Sequence, residues 1–141
     1  MFVRTLEDIQ RAGRVLSLLG GTARSARYIT AADRIGFSYN DNNVDPGYDA
    51  TLWYRHHWEA NYIVSGTGSV EDLATGEVWA LRPGALYVVG PNDRHRIRAS
   101  EAMRLLSIWN PPLHGDERHD DAGGYPPTGD VPVTDRRMFV K

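Results

Sequence analysis

The sequence predicts an all-β fold, a small sandwich or barrel of short strands behind one short N-terminal helix. Three observations carry that reading. From Arg24 to Trp109, short runs rich in β-branched and aromatic residues alternate with Gly, Pro, Asn and Asp, the spacing of strands joined by tight turns. Only one stretch, near the N-terminus, has the capping and composition of a helix. A chain of 141 residues is one domain by length and can bury a core.

Taken in order, Thr5 is placed to cap LEDIQRAGRVLSLLG, with acidic residues in the first turn and Gly20-Gly21 as the stop. Its interior Gly13 is the weak point of that helix. Strands are expected at 26–30, 34–41, 50–58, 59–64, 68–73, 77–81, 85–89, 94–99 and 102–109. Turns are expected at DPG (45–47), SGTG (65–68), ATG (74–76), RPG (82–84) and GPND (90–93). Beyond Asn110-Pro111-Pro112 the chain becomes polar and rich in Gly and Pro, as a loop or tail does. This divides it into a domain over 1–126 and a polar C-terminal tail over 127–141. The Glu117-Arg118-His119 cluster argues that part of the late segment returns to cover a pocket.

Charge and composition exclude several function classes. The apolar fraction is 41% and the net charge −2, with acids and bases interspersed, so there is no basic stripe for nucleic acid. With no cysteine, disulfides and thiolate chemistry are excluded. No signal peptide is visible and no apolar run is long enough to span a bilayer. A soluble, cytoplasmic protein that acts on a small molecule, with no nucleic-acid or membrane partner, is the expectation.

The stretch YRHHWEANY (54–62) is the one that demands a chemical reading. If it is a strand, Trp53, Arg55, His57 and Glu59 share one face, and that face is large, polar or ionisable. Such a face points to solvent or lines a pocket. The surrounding spacing resembles the cupin superfamily. Gly47, Trp53, Arg55, Glu59 and Gly66 occupy the places of the first cupin motif, and Gly76, Arg82, Gly84 and Tyr87 those of the second. Trp53 and Arg55 stand where two histidine ligands are usual, and Tyr87 replaces a third, while Glu59 is retained. His95, at the start of the next strand, could complete a set with Glu59 and Tyr87. A carboxylate, a phenolate and an imidazole suit iron, with zinc or manganese less suited. The bland alternative is a core tyrosine and a surface histidine.

A more specific resemblance is to the ectoine synthase family, over residues 24 to 126. It is carried by GFSYN (36–40), YRHHWEANYIVSGTGSVEDLATGE (54–77), RPGALY (82–87), DRHRIRA (93–99) and MRLLSIWNPPLHGDERHDDAGGYP (103–126), found together and in order. The resemblance implies a single-domain cupin, a small jelly-roll β-barrel with a short N-terminal helix, assembled as a head-to-tail homodimer, with an iron (Fe2+) site inside the barrel. It implies closure of N-γ-acetyl-L-2,4-diaminobutyrate to ectoine with loss of water, a hydro-lyase reaction. Metal positions match at Glu59, Tyr87 and His95, and acid–base positions at Glu117 and His119. His57 is a third acid–base candidate, through the strand face it shares with Glu59. Arg27 and Asn40 match pocket positions for substrate, and Asn42, Ser107 and Trp109 fall on the same pocket faces.

The pocket wall departs from the family pattern while the ligand positions do not. Ala23 stands for a usual tryptophan, Asn42 for threonine, Ser107 for cysteine and Trp109 for phenylalanine. Trp58 and Asn61 replace a leucine and a valine beside the glutamate. Such changes open two alternatives to ectoine formation: a metal-dependent relative acting on another acylated amino acid or amide, and a small-ligand-binding cupin without catalysis. The retained Glu117 and His119 favour an enzyme, because a binder needs no acid–base pair.

Overall fold

A computed structural model of the chain describes residues 1–129; the remainder of the expected tail lies outside the described residues. One helix, α1 (Leu6–Arg11), precedes ten strands. These are β1 (Val15–Leu18), β2 (Ala23–Ile29), β3 (Ser38–Val44), β4 (Asp49–Leu52), β5 (Trp58–Ser65), β6 (Gly68–Asp72), β7 (Val78–Leu81), β8 (Leu86–Val89), β9 (His95–Ala99) and β10 (Met103–Asn110). They form two sheets, in the orders β1-β2-β3-β10-β5-β8 and β4-β9-β6-β7, and every pair is antiparallel. The all-β jelly-roll expectation holds, and each expected turn falls between strands.

The N-terminal helix is much shorter than the sequence suggests. Thr5 and Asp8 form a reciprocal capping box at its start. Gly13, at φ +69°, takes the chain out of helical conformation, and Val15–Leu18 then pairs with residues 23–26 as an edge strand. Gly20 and Gly21, expected to stop a helix, make the turn of that hairpin at φ +69° and +87°. Sheet pairing outweighs the weak helical pattern of VLSLL, where Gly13 had already removed propensity. The expected strand 34–41 is displaced to Ser38–Val44, because Thr30 and Asp33 cap a short 3-10 turn over Ala31–Asp33.

The expected strand 50–58 is also corrected. It ends at Leu52, and residues 53–57 turn before β5 begins at Trp58. The proposed shared face of Trp53, Arg55, His57 and Glu59 therefore does not exist. Trp53 donates from Nε1 to the Pro91 carbonyl (2.8 Å) and stacks under the Arg55 guanidinium, away from the interior.

The interior has two ends of different character. Ile63, Met103 and Leu105 from one sheet meet Val70, Leu81 and Ile97 from the other to form a mainly aliphatic core. At the opposite end Leu52, Tyr54, Val89 and Trp109 pack with Leu113 and Tyr125 from the segment after β10. That segment has no regular structure, yet it returns across the barrel as its Glu-Arg-His cluster suggested.

A candidate active site at the aromatic end of the barrel

Strand register builds the site before any side-chain detail is considered. Arg27 on β2 faces Asn40 on β3, Asn40 faces Ser107 on β10, Ser107 faces Asn61 on β5, and Asn61 faces Tyr87 on β8. Five adjacent strands thus place five polar or aromatic side chains in one cross-strand row. One step along, Glu59 on β5 faces Trp109 on β10. Glu59, Asn61 and Ile63 point inward by alternation, as do Ser107 and Trp109. Arg27, Asn40, Asn61, Ser107 and Trp109 are almost completely buried.

Several polar atoms of this row hydrogen-bond to one another or to the residues beside them. The Asn42 amide donates to Ser107 Oγ (2.7 Å), and the Ser107 hydroxyl donates to Asn61 Oδ1. The Asn40 amide, oriented to donate to the Tyr39 carbonyl (3.1 Å), accepts from Trp109 Nε1 (3.2 Å). Glu59 is buried among Tyr54, Tyr87 and Trp109 around a cavity of about 60 Å³. Burial pushes its carboxyl up to about 8, against the opposing pull of Asn61 and Ser107 beside it.

Tyr87 borders this cavity and also a larger cleft of about 400 Å³ between the edges of β7 and β8, which His95 lines. His95 donates from Nδ1 to the Asp93 carbonyl (2.9 Å), since a carbonyl can only accept. Its buried Nε2 is then an unprotonated lone pair with no partner, and burial lowers its pKa. Among the described residues no three His, Cys, Asp or Glu side chains converge, so a divalent cation here needs a phenol in its donor set. Glu59, Tyr87 and His95 supply a carboxylate, a phenol and an imidazole fixed through its second nitrogen, the usual arrangement of a ligating histidine. This donor chemistry fits a divalent metal.

The returning segment closes the site. Glu117 accepts from the backbone N–H groups of His114 and Gly115 (2.7 Å each), which ties the turn together. It lies 3.6 Å from Arg27, both side chains being buried. Arg27 also donates to Ser25 Oγ (3.0 Å), the Glu117 carbonyl (3.2 Å) and Tyr125 Oη (3.3 Å), leaving Nη1 without a hydrogen bond. His119 pairs through Nε2 with the Tyr54 hydroxyl (2.9 Å) and stacks on Tyr125. Burial and the Arg27 charge push its pKa down to about 4, so the imidazole is neutral near pH 7 and its Nδ1 has no partner.

His57 sits in the turn before β5, fully buried, edge-on to Trp109, with Nε2 3.2 Å from Thr128 Oγ1. It reaches the site region by packing against Trp109, by a route other than the strand face inferred from sequence. Of the residues singled out from sequence, Trp53 and Arg55 lie outside the site. Tyr54 and Tyr125 form its aromatic wall and were not identified. Tyr54 lay inside the conspicuous YRHHWEANY stretch, but no spacing rule marks Tyr125, which arrives only through the fold of an irregular segment.

A two-sheet jelly roll with an inward carboxylate, phenol and imidazole places the chain in the class of small cupin-type proteins with a polar interior site. Its structure resembles that of KdgF from Halomonas sp., with a TM-score of 0.59 at 18% identity over 69% of this chain and 84% of the other, a likeness of fold alone. The sequence pattern of ectoine synthase matches residues 1–129, and the chain belongs to the ectoine synthase family. It is 44% identical to the L-ectoine synthase of Oceanobacillus iheyensis over 89% of this chain and 97% of that one. It is 41% identical to the L-ectoine synthase of Desulfatibacillum aliphaticivorans over the same shares. The crystal structure of ectoine synthase from P. lautus superimposes with a TM-score of 0.75 at 34% identity, covering 82% of this chain and 81% of that one.

Proposed function

We propose that this chain is a hydro-lyase that closes N-γ-acetyl-L-2,4-diaminobutyrate to ectoine with loss of water. Family membership supports the reaction, and one observation carries the assignment to this site. A buried polar row ends beside Glu59, and an imidazole held neutral stands across the same pocket.

Ring closure joins the α-amino nitrogen to the acetamide carbon, and the carbonyl oxygen departs as water. The amine must first lose a proton, and the departing oxygen must gain protons. His119 is suited to that transfer, because its neutral imidazole has Nε2 on Tyr54 and a free Nδ1. The buried Arg27 charge, with Nη1 lacking a hydrogen bond, is suited to the substrate carboxylate. Both Glu117 oxygens already hold backbone amides, so its part is to hold the closing segment and Arg27 in place. Trp109, Tyr54 and Tyr125 exclude water and favour the curled form of the substrate.

Glu59, Tyr87 and His95 would hold an Fe2+ ion, which supplies Lewis acidity toward the acetamide carbonyl when bound. Zinc and manganese are poorer matches to the phenol. The cavity of about 60 Å³ is well below the roughly 300 Å³ at which small-molecule pockets begin, so the 113–125 segment must move to admit substrate.

We assign the chain to a cytoplasmic homodimer. No helix among the described residues is long and apolar enough to cross a membrane. Trp58, Tyr62, Leu86, Val88 and Ile108 are exposed on the outer face of β5, β8 and β10, an apolar area suited to a second copy. The deciding assay gives purified, iron-loaded protein the acetylated diaminobutyrate and follows ectoine by mass spectrometry, with Glu59→Ala as control. Iron-dependent ectoine formation lost in Glu59→Ala is the expected result. Iron binding without turnover would redirect the site to other acylated amino acids and amides.

A further inference from the structure

Asn61 is one of the interior residues whose hydrogen bonding is incomplete, and the one that stands on the same strand face as Glu59. Its side chain is 1% exposed and lines the cavity that Glu59 lines. Its Oδ1 accepts from Ser107, while its Nδ2 has no partner. A buried amide nitrogen left without an acceptor is destabilising, so such a group in a native interior calls for a function.

The direction of the hydrogen bonds shows what that function requires. Asn42 donates to Ser107 Oγ, which leaves the Ser107 proton for Asn61 Oδ1. The ladder runs one way across β3, β10 and β5, and it delivers N–H groups at its far end. Only an acceptor can complete it. Register places Asn61 two residues from Glu59 on the same face of β5 and opposite Tyr87 on β8. The acceptor that lies beside it is the Glu59 carboxylate, which is buried on the same strand face and lines the same cavity.

We propose that Asn42, Ser107 and Asn61 form a polarised positioning ladder whose terminal Asn61 amide orients the Glu59 carboxylate for a divalent cation. The inference rests on the metal reading of Glu59, Tyr87 and His95 given above and deepens it. It also reassigns Asn42 and Ser107. The Asn42 amide nitrogen and the Ser107 hydroxyl are committed to the ladder, so these groups act on Glu59 through Asn61. Partners that orient ligands in this way typically contribute 10–100-fold to metal affinity.

The test titrates chelator-treated full-length protein with Co2+, by calorimetry and by the visible absorption of the bound ion. Asn61→Val, which keeps the strand preference and removes the amide, is expected to weaken Co2+ binding about ten-fold or more and to shift the absorption band. Ser107→Ala is expected to weaken it about three-fold, and to add nothing once Asn61 is valine, because it acts through that residue. Asn61→Gln, which keeps a donor, should recover part of the affinity. If Asn61→Val does not fold, the Ser107→Ala and Asn61→Gln titrations decide the matter by the same criteria. Wild-type affinity and an unchanged spectrum in folded Asn61→Val, or additive effects in the double variant, overturn the ladder while leaving the metal site standing. Absence of Co2+ binding by the wild-type chain overturns the metal site itself, and the ladder with it.

Discussion

Replacing Glu117 by alanine should release the segment from Leu113 to Tyr125 while the two sheets stay folded. The substitution removes two hydrogen bonds from a carboxylate to the backbone amides of His114 and Gly115, each contributing about 1.5–3 kcal/mol. It also leaves the fully buried Arg27 guanidinium without its counter-charge, a change that typically costs about 3–5 kcal/mol. These terms overlap, so a total near 5 kcal/mol is the reasonable scale. Against it stand the burial of Leu113 and Tyr125, roughly 1.5–3 kcal/mol each, and a few backbone bonds such as Trp53 N–H to the Gly123 carbonyl. The loss therefore matches what holds the segment. Undocking returns Arg27 and both amides to water and is the lower-energy response.

Hydrogen exchange resolves this residue by residue. In the alanine variant the amides of Trp53, His114, Gly115 and Gly124 should lose protection, while Ile63, bonded to the Ala85 carbonyl in the core, keeps its wild-type rate. Glu117→Gln, which keeps one acceptor, should fall between the two. Wild-type protection at His114 and Gly115 would falsify the argument, and so would a uniform loss across Ile63 and the sheets.

Three other outcomes follow from the same geometry. The unfolded chain protonates His119 near pH 6.5 whereas the folded one resists until about pH 4, so stability should fall as pH drops through that window. By pH 4.5 the deficit from this residue alone is roughly 2–3 kcal/mol relative to pH 8, and urea melts of His119→Gln should show a correspondingly flatter pH profile. Gly123→Ala should expel the closing segment as well, since a β-carbon there would lie 2.3 Å from the Thr51 carbonyl at φ +77°; rapid proteolysis near residue 120 with an intact barrel is the expected readout. Val88→Glu places a charge in the exposed apolar face and should convert dimer to monomer in sedimentation; a wild-type chain that sediments as a monomer removes the basis for that assignment.

The amino-acid sequence by itself determined the fold class, the turns and the strands whose faces alternate cleanly. Those features depend on local preferences: glycine and proline punctuation at 45–47, 65–68 and 82–84, and inward–outward alternation in β5 and β10. It also singled out Glu59 and Tyr87 by motif spacing, which needs no knowledge of contacts, and His95 by its place at the start of the next strand. The tertiary structure alone decided the rest. It converted Val15–Leu18 from helix to strand, since pairing with β2 satisfies backbone groups that a glycine-broken helix could not. It showed that the histidine-rich turn at 53–57 is no strand, so His57 reaches Trp109 by packing and Trp53 turns away. Tyr125 and the ladder from Asn42 through Ser107 to Asn61 join residues up to 98 positions from their partners, distances at which no sequence period operates. Long-range hydrogen bonds depend on the register of nonadjacent strands, and register is a property of the whole sheet.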